Sequence, residues 1–272
     1  MANASNSAPD PRNLTPPATG LVTKLINWFF VMLVVAFLAV GYKNAHINDL
    51  HMLIDHSANT GTYLKDYLRP NFTDWKLYVA GMWLTVQMAM WGTFLSVVLA
   101  VPLSLLCSNN IAPQWVVQPM RGVMNVLRAF PELVLGIAFT VAVGLGPLAG
   151  VLALTLNNTG TLAKLFSEAV EAIEIAPVEG VRATGGNRFH EIVWGVIPQV
   201  APLWTSFALY RFESNSRSAT VLGLIGAGGI GQVLFDNLNA FDYARTSAIA
   251  IVIVVAVTLI DLLSQQLRKY LL

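Results

Sequence analysis

Glu179-Gly-Val-Arg-Ala-Thr-Gly185, followed nine residues later by Gly195-Val-Ile-Pro198, is a short polar island between two apolar stretches of membrane-crossing length. Pro177 suits the first turn of a helix, where its missing N–H would have no partner in any case. Gly185-Gly186 suits the end of that helix, because the residue after the last helical one favours a positive φ. Asn187 is placed to cap a second helix, which runs into apolar sequence loosened by Pro198 and Pro202. The first helix is then only about two turns, on the order of 12 Å. Gly180 and Ala183 leave its surface thin enough for another backbone to approach, and Glu179 and Arg182 offer charged contacts. Such a segment reads either as an ordinary amphipathic loop or as a handle for an external partner.

The flanking sequence supplies the membrane. The chain of 272 residues is 55% hydrophobic and 11% charged, where a soluble domain carries about a quarter charged residues. Its net charge of +1 argues against a nucleic-acid partner. The single cysteine, Cys107, forms no internal disulfide. Charge-poor stretches predict spans at about 25–43, 77–106, 131–146, 148–174, 191–217 and 244–268. Each approaches the roughly 20 residues a helix needs to cross the hydrocarbon, and lipid requires a spanning backbone to satisfy its own hydrogen bonds. The expected fold is an all-α integral membrane protein of about six transmembrane helices. A Pro/Asn/Ser-rich tail, residues 1–23, is expected to be disordered and cytoplasmic, and residues 24–43 to be an uncleaved anchor. An outer loop follows at 44–76, then the main transmembrane domain at 77–272.

Six spans put both termini on one side. With that side cytoplasmic, Arg12, Lys24, Arg121, Arg128, Lys164, Arg182, Arg188, Arg268 and Lys269 fall inside, and Lys43, Lys65, Arg69, Lys76 and Arg245 outside. That bias is the expected one. His46, His51 and His56 lie in the outer loop at five-residue spacing, which spreads them around a helix rather than gathering them for zinc.

The polar island resembles the EAA signature of binding-protein-dependent ABC permeases, with Glu179, Gly185 and Pro198 on its Glu, Gly and Pro positions. Gly180-Val181 replace the two alanines, Gly195 the isoleucine and Ile197 the leucine. Further runs are similar to the permease subunit of phosphonate ABC importers: Ser167-Glu-Ala-Val-Glu-Ala-Ile-Glu174, Gly195-Val-Ile-Pro-Gln199, Tyr210-Arg-Phe-Glu-Ser-Asn215, Arg217-Ser-Ala-Thr-Val221 and Gly226-Ala-Gly-Gly-Ile-Gly231. The resemblance covers most of the chain from about Asp74. It implies a type I ABC importer permease fold in the bacterial inner membrane, with a cytoplasmic coupling helix at about 177–187. Glu179, Gly180, Arg182, Ala183 and Gly185 would meet the ATPase. The implied partners are a second permease copy, two ABC ATPase subunits and a periplasmic phosphonate-binding protein; phosphite and phosphate are the neighbouring substrates. The chain lacks a Gly-x4-Gly-Lys-Ser/Thr loop, so ATP and Mg belong to the ATPases and no cofactor is expected here. An ion-coupled secondary transporter is the competing class; it would favour broken helices with acidic residues at midplane.

Gly226-Ala-Gly228-Gly-Ile-Gly231 also fits Gly-x-Gly-x-x-Gly, yet the acidic residue about 20 positions on is missing and a membrane span follows. It is expected to be a glycine-packed, non-spanning segment at the outer face. Charges at membrane depth are functional suspects. In span five, Glu213 and Arg217 share a helix face and are expected to pair. Arg211 lies on the opposite face with Ser214, Asn215 and Ser218, in an arc of roughly 100°. That stripe suits a tetrahedral oxyanion and either lines the substrate route near its outer gate or satisfies neighbouring helices. Arg128 and Glu132, one turn apart at the inner edge of span three, are expected to form a structural pair. Asn157, Asn158, Thr159 and Thr161 either line the route or bond between helices.

Overall fold

The structure, a computed structural model, describes residues 20–45, 61 and 64–271. The loop histidines and most of the N-terminal tail lie outside the described residues. Two compact units result, residues 1–62 and 63–272. The first contributes α1 (Leu21–Asn44), a 24-residue apolar helix about 36 Å long.

The second unit holds α2 (Trp75–Cys107), α3 (Gln114–Ala129), α4 (Glu132–Val143), α5 (Pro147–Glu171), α6 (Ala176–Ala183), α7 (Ile197–Leu222), α8 (Gly229–Asn239) and α9 (Tyr243–Leu271). Among the described residues four helices are long and apolar enough to cross a membrane, five if the bent pair α3–α4 is one span. Helix α5 has the length to span at 25 residues, about 37 Å. Its composition is too polar, because Thr155, Asn157, Asn158, Thr159 and Ser167 are all buried in its contacts with other helices. A helix at the centre of a bundle meets protein, so polarity there costs little once it is bonded.

Three apolar clusters stack along α2 and set the levels of the bundle. At the α6 end, Ala100 and Cys107 pack with Leu162, Phe166 and Trp204, and the Phe166 and Trp204 rings stack at 4.8 Å. In the middle, Met88 and Ala89 meet Leu154, Ala219 and Leu222. At the opposite end, Tyr78 and Met82 meet Ile230 and Ile249. The glycine-rich segment 223–231 forms a wide turn leading into α8. At 11 residues α8 is about 16 Å long, too short to span. It rests on the first half of α2, where the Ile230 N–H donates to Thr85 Oγ1 at 2.9 Å. Gly231 permits an equally close approach to the end of α7: a Cβ there would overlap the Thr220 carbonyl oxygen and lie 3.0 Å from Gly223 Cα.

The structure refines the spans in two places. The segment from 131 is a short helix, α4, of 12 residues, set at 87° to α3, which precedes it. Pro131 supplies the reason, for it has no N–H to continue α3 and disfavours helical backbone at Phe130. The fifth span lies within one continuous helical stretch, Arg188–Ala227, of which α7 is the regular α part; residues 188–196, a turn of helix and a stretch of π-helix, also pack on α6.

Candidate docking helix and intramembrane polar sites

Helix α6 carries Glu179 in its first turn and Arg182 in its last, the arrangement the helix dipole favours. The Gly185 N–H donates to the Arg182 carbonyl at 3.0 Å and the Gly186 N–H to the Val181 carbonyl at 3.2 Å. Gly185 has φ +85°, so the turn is a Schellman end that a β-carbon would strain. Asn187 Oδ1 accepts from the His190 N–H at 3.0 Å and caps the next turn.

None of the residues of α6 is buried. Glu179, Gly180, Ala183 and Gly185 are exposed, and a side chain at Gly180 would meet nothing within 4 Å. Val178 and Val181 turn inward. A Cβ at Gly195 would lie 3.0 Å from Val178 Cα, so the residue that departs from the EAA pattern is the one that lets α6 sit close. A groove of about 390 Å³ beside α6 is lined by Val181, Thr184, Gly185, Gly186, His190 and Trp194.

Arg182 is not wholly free for a partner. Its Nε donates to Glu191 Oε1 at 2.7 Å and its Nη2 to Oε2 at 3.1 Å, a two-pronged fork. The Arg182 hydrogen bond holds the Glu191 carboxyl below the usual range, and Glu191 in turn raises the guanidinium. Gln199 ties the segment ahead of α6, donating to the Glu174 carbonyl at 3.2 Å and accepting from the Glu174 N–H at 3.1 Å, besides donating to the Gly195 carbonyl one turn back at 2.6 Å. Neither Glu191 nor Gln199 was singled out from sequence for these roles. The signal was available in the turn itself, because a helix–glycine–helix hairpin brings residues on either side of Gly185-Gly186 together. Nearby, Arg121 Nη2 bonds Glu171 Oε1 at 2.6 Å, closing α3 onto the end of α5.

The polar stripe on α7 divides. Asn215 is fully buried: it accepts from Asn158 Nδ2 at 2.8 Å and donates to Thr93 Oγ1 at 2.7 Å. This three-helix knot removes Asn215 from any solvent-lined stripe. Arg211, Ser214 and Ser218 are half-buried, and Arg211 Nε is buried without a hydrogen-bond partner. The stripe is not near an end of the bundle. Thr93 is the nineteenth of 33 residues in α2 and Asn158 the twelfth of 25 in α5, so Asn215 stands at mid-length. Asn157 donates to the Phe130 carbonyl at 2.9 Å, so of the two readings of the Asn157–Thr161 patch, bonding between helices is the one the hydrogen bonds support.

Arg217 Nη2 lies 3.4 Å from Glu213 Oε1, and its Nη1 lies 3.4 Å from Asp261 Oδ1 on α9. Arg268 Nη2 reaches Glu213 Oε2 at 3.2 Å. Arg128 and Glu132 do not form the expected ion pair. They sit on either side of the 87° bend, where the one-turn spacing of a continuous helix no longer applies. Nor are they at the edge of the bundle: the Arg128 backbone N lies 3.0 Å from the Cβ position of Gly160, midway along α5. Among the described residues no three His, Cys, Asp or Glu side chains are grouped to hold a metal.

Known proteins share this sequence and architecture. The phosphite transport system permease protein PtxC of Stutzerimonas stutzeri is 38% identical over 223 residues, covering 82% of this chain and 81% of that protein. The putative cryptic phosphonate transport system permease protein PhnE2 of Escherichia coli K12 is 58% identical over 119 residues, 44% of this chain and 98% of that protein. The phosphate-import permease protein PhnE of Mycolicibacterium smegmatis is 39% identical over 221 residues, 81% of this chain and 42% of that longer protein. Among solved structures, the inward-facing MetNI methionine ABC transporter matches with a TM-score of 0.64 at 21% identity, over 72% of this chain and 96% of the matched one. That likeness carries the type I ABC importer permease fold. Residues 100–272 match the family described as the binding-protein-dependent transport system inner membrane component. An exposed, fork-tied helix at the end of a polar-cored membrane bundle thus has its family: this chain belongs to the binding-protein-dependent transport inner-membrane components, as a multi-pass, non-catalytic permease subunit of an ABC importer whose ATP is bound by partner ATPases.

Proposed function

We propose that this permease carries a phosphorus oxyanion, first of all an organophosphonate, inward across the bacterial inner membrane, with α6 as the helix gripped by the ATPase. The observation that carries the docking role is the combination of an exposed outer face and firm attachment of α6 through the Arg182–Glu191 fork. A handle must be reachable, and it must not fold away when pulled. Glu179, Gly180, Ala183 and Gly185 form the contact surface, and Arg182 shares its charge between that surface and Glu191. Two permease copies, two ATPases and a periplasmic phosphonate-binding protein make the assembly, with the α6 end and both termini cytoplasmic. The phosphonate reading is supported by the 58% identity to PhnE2. Phosphite is the second reading, supported by a lower identity to PtxC that extends over 82% of this chain.

The test is co-expression with the partner ATPase and binding protein, followed by co-purification and ATPase assay with 2-aminoethylphosphonate, phosphite and phosphate in turn. A co-purifying ATPase stimulated by the loaded binding protein supports the importer, and the solute that stimulates most ranks the substrates. Glu179→Lys is expected to abolish uptake or lose the ATPase while the permease still inserts. Unchanged uptake would remove α6 from the docking role.

A further inference from the structure

We infer that the substrate route runs along the polar face shared by α7 and α9, with Arg217 as its oxyanion-contacting residue, rather than along the Arg211 face. This rests on the import reading above. Arg217 is two residues, about 3 Å of rise, from Asn215, which is fixed at mid-bundle by Thr93 and Asn158. Its side chain is nevertheless 48% exposed, and that of Asp261 31%. Charges at this depth do not face lipid; they face a bundle interior or a water-filled cavity. The polarity of α9 divides the same way. At 100° per residue, Thr258, Ser264, Gln265 and Arg268 fall within about 60° of Asp261, whereas Leu259, Leu262 and Leu263 fall about 100–160° away. From Thr258 to Arg268 the first face is therefore polar, with Thr258 and Gln265 exposed, and the other is mostly leucine, with Gln266 among it; before Thr258 the first face continues in the exposed Val254.

Distances distinguish this cluster from a structural lock. The Arg121–Glu171 and Arg182–Glu191 pairs close to 2.6 and 2.7 Å, within the range of strong charge-assisted bonds. Arg217 holds its two carboxylates at 3.4 Å each. Its guanidinium is kept at membrane depth by counter-charges without being saturated by them. Glu213 and Asp261 balance Arg217 and Arg268, so the face is neutral until a solute arrives. A solute with an oxyanion, and with an ammonium in the aminoalkyl case, finds both signs there. Neutrality also limits how tightly it is held, as a route requires.

The test uses the assembled transporter in its native-cysteine background, because Cys107 is buried. Thr258→Cys and Gln265→Cys are expected to react with a membrane-impermeant methanethiosulfonate and to be protected by 2-aminoethylphosphonate with loaded binding protein. Leu259→Cys and Leu263→Cys are expected to react at least about tenfold more slowly. Arg217→Ala is expected to lower uptake about tenfold or more, as expected for loss of a charged hydrogen-bond donor, with Arg217→Lys recovering part of it and the ATPase still co-purifying. Disulfide cross-linking between copies at Thr258→Cys without reagent labelling would make this face a dry seam and overturn the route. Equal labelling of both faces, or an Arg217→Ala variant with normal uptake, would overturn it as well. If the ATPase co-purifies and responds to binding protein while these outcomes fail, only the route is wrong; if no ATPase co-purifies, the import reading itself has failed.

Discussion

Asn215 meets two other helices through one amide, accepting from Asn158 and donating to Thr93. Interhelical hydrogen bonds in membranes are worth about 0.6 kcal/mol on average and about 1.7 at most. Asn215→Ala removes both interhelical bonds and leaves Asn158 and Thr93 only their bonds to the Leu154 and Ala89 carbonyls of their own helices, so a loss of about 1–2 kcal/mol is expected, read as a lower melting temperature of the detergent-purified permease. The Arg182–Glu191 fork has a pH signature. Glu191 is held below its ordinary pKa by the Arg182 hydrogen bond. Its contribution is therefore complete above the unfolded value of about 4.3 and is lost as pH falls through the lower folded value. Hydrogen exchange in α6 is expected to be flat from pH 7 to about 5, once the intrinsic pH dependence of exchange is removed, and to accelerate below that range. Glu191→Gln should show the faster exchange at every pH.

At the scale of the elements, what is local was legible and what depends on depth was not. Pro177, Gly185-Gly186 and Asn187 defined α6 and its turn because caps and positive-φ positions are written in adjacent residues. The spacing of Glu213 and Arg217 placed them on one helix face for the same reason. Hydropathy could not show the depth of Arg211 to Ser218, which is set by the contacts of Asn215 with Thr93 and Asn158. The break at Pro131 was legible in the proline itself, but its 87° angle, which separates Arg128 from Glu132, was not. The glycine-rich segment was read as packing, and Gly231 gives that reading a concrete form. Gly231→Ala is expected to displace α8 from α7 and α2 and to cost about 1–3 kcal/mol, measurable as reduced yield of folded permease and faster proteolysis near residues 223–231. Gly122→Ala, where a β-carbon meets open space, serves as the neutral control.

For the whole molecule, the proposed energy source lies outside the chain, and this gives a clean pharmacological prediction. Uptake by the intact assembly is expected to stop with vanadate, which blocks ABC ATPases, and to persist when the ion gradients are collapsed at constant ATP. The reverse pattern would identify gradient-driven transport. The placement of the ties then has a mechanical consequence. Helix α6 is bolted by the Arg182–Glu191 fork to the first residue of the wide turn, and α7 is pinned halfway along by Asn215. Between bolt and pin lies the wide turn Glu191–Val196, a stretch of π-helix, a form whose bulges act as one-residue insertions in an α-helix. In a chain of linked springs the softest one takes up the displacement. How far a tug on α6 travels into the membrane is therefore set by the stiffness of those six residues.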